Sequence, residues 1–185
     1  MLLLIVDVET TGTNPQCDRV LELGAILYSV PEQTTVAQVS TLIPSFDNPV
    51  ESINGIVPSA TQRVGQTYAA ALGLFEVYLA QADYLVAHNA DFDRQWFGKA
   101  PLPNSPKHWL CTAKDFVWPR VRRKKVSLSS LALSYGISGI IRHRALADCQ
   151  IIAAVFDRVH PLENFVQQAI ERCLCPQPGN SVAEV

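Results

Sequence analysis

Leu2 to Val8 is an unbroken aliphatic run, short enough to predict a strand buried on both faces. Thr10-Thr11-Gly12 ends it, and Asn14-Pro15 marks a loop. Arg19 to Val30 is rich in Val, Leu, Ile and Tyr, and Thr34 to Ile43 alternates again. Pro31-Glu32-Gln33 between them predicts a hairpin connection. Pro44 to Pro58, dense in Pro, Asn and Ser, reads as a loop. Gln66 to Ala82 places Ala, Leu, Phe and Tyr at helical spacing and predicts an amphipathic helix. Tyr84 to His88 predicts a further short buried strand, with Asn89 as N-cap of a helix to about Gly98. A prolyl loop follows, then a strand at His108 to Cys111. Ser127 caps a helix through Tyr135, stopped by Gly136. The longest helical pattern starts near His143 or Arg144 and runs to about His160, and Pro161 opens a last helix to Leu174.

Three early strands, then helices alternating with shorter strands, predict one α/β domain with a mixed sheet flanked by helices. Residues 1–174 form that domain, and 175–185 read as a frayed tail. The length of 185 residues with 48% hydrophobic content suits one sizeable core. Charged residues at 17% exclude a disordered or tail-rich chain. The five cysteines, Cys17, Cys111, Cys149, Cys173 and Cys175, have no disulfide-framework spacing, and the C-x-C pair lacks a partner pair to complete a zinc site. No apolar run approaches the roughly 20 residues that span a bilayer, and Met1 to Val6 is too short for a secretion signal. A cytoplasmic location is expected.

Asp7 and Glu9, two residues apart at the end of a buried strand, point to the same face. Adjacent carboxylates there repel one another and resist desolvation, so one takes a proton or a cation sits between them. Hard oxygen donors of this kind suit Mg²⁺ or Mn²⁺. Two solvated acids at a strand end would look the same. A second acidic cluster, His88-Asn89-Ala90-Asp91-Phe92-Asp93, follows a buried strand, where open α/β sheets place ligands. Asp91 and Asp93 lie about 200° apart on a helix, so at most one faces the first pair, and spacing does not choose between them. The third cluster is His143-Arg144-Ala145-Leu146-Ala147-Asp148. Five helical residues turn a side chain by about 500°, so His143 and Asp148 converge only if His143 lies on the loop before the helix. Gly136 and Gly139 upstream permit that loop. A histidine so placed can accept a proton from water near neutral pH.

Taken in order, Asp7-Val8-Glu9-Thr10-Thr11-Gly12, His88 to Asp93 and His143 to Asp148 resemble the three motifs of the DEDD exonuclease superfamily. The histidine form of the third is similar to the subclass holding the DNA polymerase III epsilon subunit and exonuclease X. Asp18-Arg19-Val20-Leu21-Glu22-Leu23-Gly24-Ala25 and Cys111-Thr112-Ala113 also read like this family, and the similarity runs from Leu2 to Phe156. The resemblance implies a ribonuclease H-like fold with a mixed five-stranded sheet. It also implies removal of nucleotides from the 3′ ends of nucleic acid with two divalent cations. It selects Asp93 over Asp91, because the family's acid follows Phe. It implies that Asp7, Glu9, Asp93 and Asp148 hold the cations, that His143 is the base, and that Glu9, Thr10, Thr11, Gly12 and Ile56 meet the terminal nucleotide. Relatives often carry His-Gly-Ile where this chain has Asn54-Gly55-Ile56, a departure that bears on substrate contacts.

The net charge of −2 does not argue against a nucleic-acid partner, because two bound divalent cations would bring it to +2. Arg120, Arg122, Arg123, Lys124 and Lys125 form a basic run suited to backbone phosphates. Trp96 and Trp109 are expected in the core, and Trp118 is open to either packing or base stacking. Two other readings compete. A haloacid-dehalogenase-type phosphatase would use Asp7 as nucleophile, but typically carries Asp where this chain has Glu9. A catalytically silent binding module would have lost a ligand or the histidine, and all five residues are present.

Overall fold

The computed structural model describes residues 1–121, 126–138 and 143–174. Arg122 to Lys125, Gly139, Cys175 and the rest of the expected tail lie outside them. The sheet has five strands: β1 (Leu2–Thr10), β2 (Val20–Ser29), β3 (Thr34–Leu42), β4 (Tyr84–Ala87) and β5 (Trp109–Cys111), in the order β3-β2-β1-β4-β5. β1 and β3 pair antiparallel with β2, and β4 is parallel to both β1 and β5, so the expected mixed sheet is present. Helices α1 (Glu51–Asn54), α2 (Pro58–Gln62) and α3 (Thr67–Gln81) precede β4, and α4 (Ala90–Arg94) follows it. After β5 come α5 (Leu128–Ser134), α6 (Ala145–Phe156) and α7 (Leu162–Leu174).

The period of two along β1 divides the core. Leu3 and Ile5 join Ile26 and Tyr28 under α5, α6 and α7. Leu4, Val6 and Val8 pack on the other face with Phe75, Leu79 and Trp96. Asp7 and Glu9 continue the Leu3–Ile5 face, and the strand that buries these apolar residues thereby aims both carboxylates toward α6. Glu22 and Gly24 are their cross-strand neighbours on β2. At Gly24 a Cβ would overlap the backbone of Ala145 and Leu146. Only glycine lets the start of α6 lie flat on the sheet there.

Four sequence expectations are corrected. Pro44 to Pro58 is not all loop, because it holds α1 and the start of α2. Asn48 accepts the Val50 N–H at 3.2 Å, Gly55 closes the turn at φ 67°, and Pro58 opens α2 where its missing donor costs nothing. Asn89 precedes α4 without capping it through its side chain; at φ 67° it is left-handed, and the Ala90 N–H meets Cys111 Sγ at 3.4 Å. α4 itself ends at Arg94, with Gly98 at φ 80° closing the turns beyond it. α6 stops at Phe156 because the Gln33 amide donates to the carbonyls of Phe156 and Val159, at 2.8 and 2.9 Å. Trp96, Trp109 and Trp118 are all buried; Trp118 stacks on Phe116 and donates its indole N–H to the Thr112 carbonyl at 2.7 Å, so it is a core residue. No helix among the described residues is long and apolar enough to cross a membrane.

Candidate active site

β1 pairs with β4 only from Leu3 to Ile5. Beyond that ladder the Val8 N–H is free, and the Asp93 carboxylate accepts it at 3.2 Å. Asp93 is 1% exposed. Asp91, on the same short helix, points outward to an ion pair with Lys114. The geometry therefore makes the choice that spacing left open.

His143 lies before α6 at φ 61°, and Arg144 after it is extended, so the loop that convergence required is present. The result is a cluster in which donor atoms of Glu9, His143 and Asp148 all lie within 4.8 Å of one another. Asp7 sits beside them on β1. Burial, then the charges of Asp93, Asp148, Glu9 and Glu22, push its carboxyl well above the usual range. Burial likewise raises Asp93, although the Val8 N–H offsets part of this. Glu9 is pushed up to about 7, chiefly by burial and then by Asp148 and Glu22, with Arg144 opposing. Carboxylates so crowded bind protons or cations. Glu9, His143 and Asp148, with the Asp7 and Asp93 carboxylates beside them, offer oxygen-rich surroundings whose chemistry fits a divalent cation of the Mg²⁺ or Mn²⁺ type.

The segment after Glu9 is held by its own side chains. Thr10 donates its hydroxyl to the Gly12 carbonyl, Thr11 bonds the Asp18 carboxylate and the Arg19 N–H, and a Cβ at Gly12 would overlap Asp18. The threonine hydroxyls thus fix the shape of the segment, and the Thr11 N–H donates to the Arg19 carbonyl at 2.9 Å. Asn54 is buried and ties α1 to this segment, donating to the Thr10 carbonyl at 3.3 Å while accepting from Asn48 and the Ile56 N–H. Ile56 is 3% exposed. Of the basic run, Arg120 lies over the Tyr135 ring at 5.0 Å.

The sequence alone assigned no role to Glu22 and Arg144, which flank the cluster as an ion pair whose carboxylate is buried and whose guanidinium is half exposed. The available signal was a lone acid inside Val20-Leu21-Glu22-Leu23-Gly24-Ala25, where an unpaired charge would be untenable.

A mixed five-stranded sheet with acidic residues gathered at the end of its central strand is the arrangement of ribonuclease H-like nucleases. Residues 4–156 match the exonuclease (RNase T) family model, and the chain belongs to that family. It is 29% identical over 160 residues to the DNA polymerase III epsilon subunit of Treponema pallidum, covering 81% of this chain and 72% of that protein. It is 27% identical over 175 residues to ribonuclease T of Citrobacter koseri, covering 83% and 81%. It is also 28% identical to the PolC-type DNA polymerase III of Thermotoga petrophila, of whose length it spans 12%. Among solved structures, exonuclease X in complex with 5′ overhanging duplex DNA superposes with a TM-score of 0.62 at 24% identity, over 90% of this chain and 99% of that one. Neither the phosphatase nor the silent-module alternative is favoured by these relationships.

Proposed function

We propose that the protein is a 3′→5′ exonuclease that hydrolyses the terminal phosphodiester of nucleic acid and releases nucleoside 5′-monophosphates in the cytoplasm. The convergence of Glu9, His143 and Asp148 beside Asp7 and Asp93, three chain segments meeting at one strand end, carries this reading. Asp7, Glu9, Asp93 and Asp148 would hold two Mg²⁺ or Mn²⁺ ions. Bound there, the ions supply Lewis-acid activation of water and charge stabilisation at the leaving oxygen. His143, on its loop at the rim, accepts the proton of the attacking water. The backbone of Thr10, Thr11 and Gly12 receives the 3′-terminal sugar beside Glu9, and Ile56 forms part of the wall behind its base. Asn54, where relatives often carry His, fixes that wall to the Thr10 carbonyl.

The test is incubation of purified protein with 3′- and 5′-labelled oligonucleotides of DNA and RNA, single- and double-stranded, in Mg²⁺, Mn²⁺ or EDTA. The expected result is mononucleotide release from 3′ ends, abolished by EDTA and by Asp7→Ala. Digestion in EDTA, or internal cutting alone, refutes the proposal.

A further inference from the structure

Glu22 is 2% exposed, and a carboxylate buried to that degree needs donors on both oxygens. Among the described residues, four hydrogen bonds reach its carboxylate. Arg144 Nε donates to Oε1 and Oε2 at 3.2 and 3.0 Å, Arg144 Nη2 donates to Oε1 at 2.8 Å, and the Ala145 N–H donates to Oε2 at 3.0 Å. Ala145 is the first residue of α6, and Arg144 before it provides no side-chain cap of its own. Glu22 therefore caps α6 from the neighbouring strand. A carboxylate at that end also interacts favourably with the positive end of the helix dipole.

The clamp sits where the third motif needs fixing. His143 immediately precedes Arg144 and holds a left-handed backbone, which ordinary residues adopt only when their surroundings impose it. Asp148 is tied to the same residue from the other side, its N–H donating to the Arg144 carbonyl at 3.1 Å. Gly24, one step along the Glu22 face of β2, lets the first turn of α6 rest against the strand. Arg144 thus lies between the two third-motif residues, and Glu22 fixes it through a two-nitrogen fork that a lysine does not reproduce.

We propose that Glu22 and Arg144 are a positioning pair, which sets His143 and Asp148 against Glu9 and so fixes the geometry of the cation site. The pair also accounts for a fifth carboxylate beside the cluster: its oxygens are occupied by donors and its charge is matched, so it does not compete for cations. The inference rests on the exonuclease reading for its catalytic consequence, but not for its effect on cation binding.

Glu22→Gln, Arg144→Gln, Arg144→Lys and the double Gln variant are compared with wild type in three measurements. These are Mn²⁺ binding to the nucleic-acid-free protein by calorimetry, kcat and KM on a 3′-labelled single-stranded oligonucleotide, and thermal melting to establish folding. Partners of metal ligands typically affect affinity or activity by about 10- to 100-fold, and each single Gln variant is expected to lose about tenfold or more in both Mn²⁺ affinity and kcat. KM should stay within about threefold, because the substrate contacts are elsewhere. Arg144→Lys should fall between wild type and Arg144→Gln. The double variant should be no worse than the poorer single one, as expected of residues acting as a unit. A folded Glu22→Gln or Arg144→Gln protein with wild-type Mn²⁺ affinity and kcat overturns the proposal, as do additive losses in the double variant. Arg144 is half exposed at the surface, so its variants decide the matter even if Glu22→Gln fails to fold. If wild type releases nothing from 3′ ends, the exonuclease reading falls, and the Mn²⁺ measurements still judge the pair.

Discussion

Crowding carboxylates around a cation site makes the cation-free protein less stable as pH rises, and Glu9 allows the size of the effect to be worked out. Its carboxyl goes from 4.5 to about 7 on folding, chiefly through burial. A group that binds its proton more tightly when folded favours the folded state fully below its unfolded pKa. That advantage is lost as pH climbs through the folded value. The gap between 4.5 and about 7 corresponds to about 3 kcal/mol at 1.36 kcal/mol per pKa unit. Glu9 is only half-buried, and solvent screening reduces the figure to about 2 kcal/mol. For a chain of 185 residues this is a melting shift of about 4–8 °C. Glu9→Gln mimics the protonated side chain and removes the titration. In EDTA the two proteins should melt together near about pH 4, and wild type should melt about 4–8 °C below Glu9→Gln near about pH 8. Mn²⁺ should raise the wild-type midpoint more at the higher pH, where it no longer has to displace a proton. Parallel melting curves across the range, or a Glu9→Gln protein that melts lower at the alkaline end, would refute the reasoning.

Other consequences follow from the same geometry. Asp93→Asn should cut 3′ release by at least about a hundredfold, while Asp91→Asn, whose ion pair is exposed, should leave it within about twofold; comparing turnover of the two variants checks the assignment. Gly24→Ala should lower stability by about 1–3 kcal/mol and slow turnover, because the added methyl lifts α6 off the sheet; chemical denaturation measures the first and the nuclease assay the second. Tyr28→Phe removes a hydroxyl that donates to Asp157 at 2.6 Å and should cost about 1 kcal/mol with turnover unchanged. Cys149 is buried and its thiol is raised well above the ordinary range, so a maleimide should label exposed Cys17 rapidly and Cys149 only after unfolding.

Much of the fold was legible because it rests on local patterns. The period of two in β1 fixed which face Asp7 and Glu9 share, and the Pro31–Gln33 break located the hairpin between β2 and β3. Helix α3 and the Ser127 cap of α5, whose side chain accepts the Ser130 N–H, were likewise written in short-range signals. What escaped depended on partners distant in sequence. The stop of α6 at Phe156 is made by Gln33 from the hairpin, and no feature of the helical pattern announces it. Asn89 carries the residue type of a cap but adopts a left-handed backbone in the turn into α4. Family resemblance selected Asp93 over Asp91, and the Val8 N–H supplies the physical reason. Glu22 looked like one polar residue in a strand until Arg144, 122 positions away, supplied its charge partner.

The central claim is that Asp7, Glu9, Asp93 and Asp148 share a pair of cations next to His143. Anomalous scattering from crystals of the protein grown with Mn²⁺ tests it most directly. The account predicts two anomalous peaks about 4 Å apart between these carboxylates, both weakened or lost in Asp7→Asn. Active protein whose only bound Mn²⁺ lies away from Asp7 and Asp93 would contradict it.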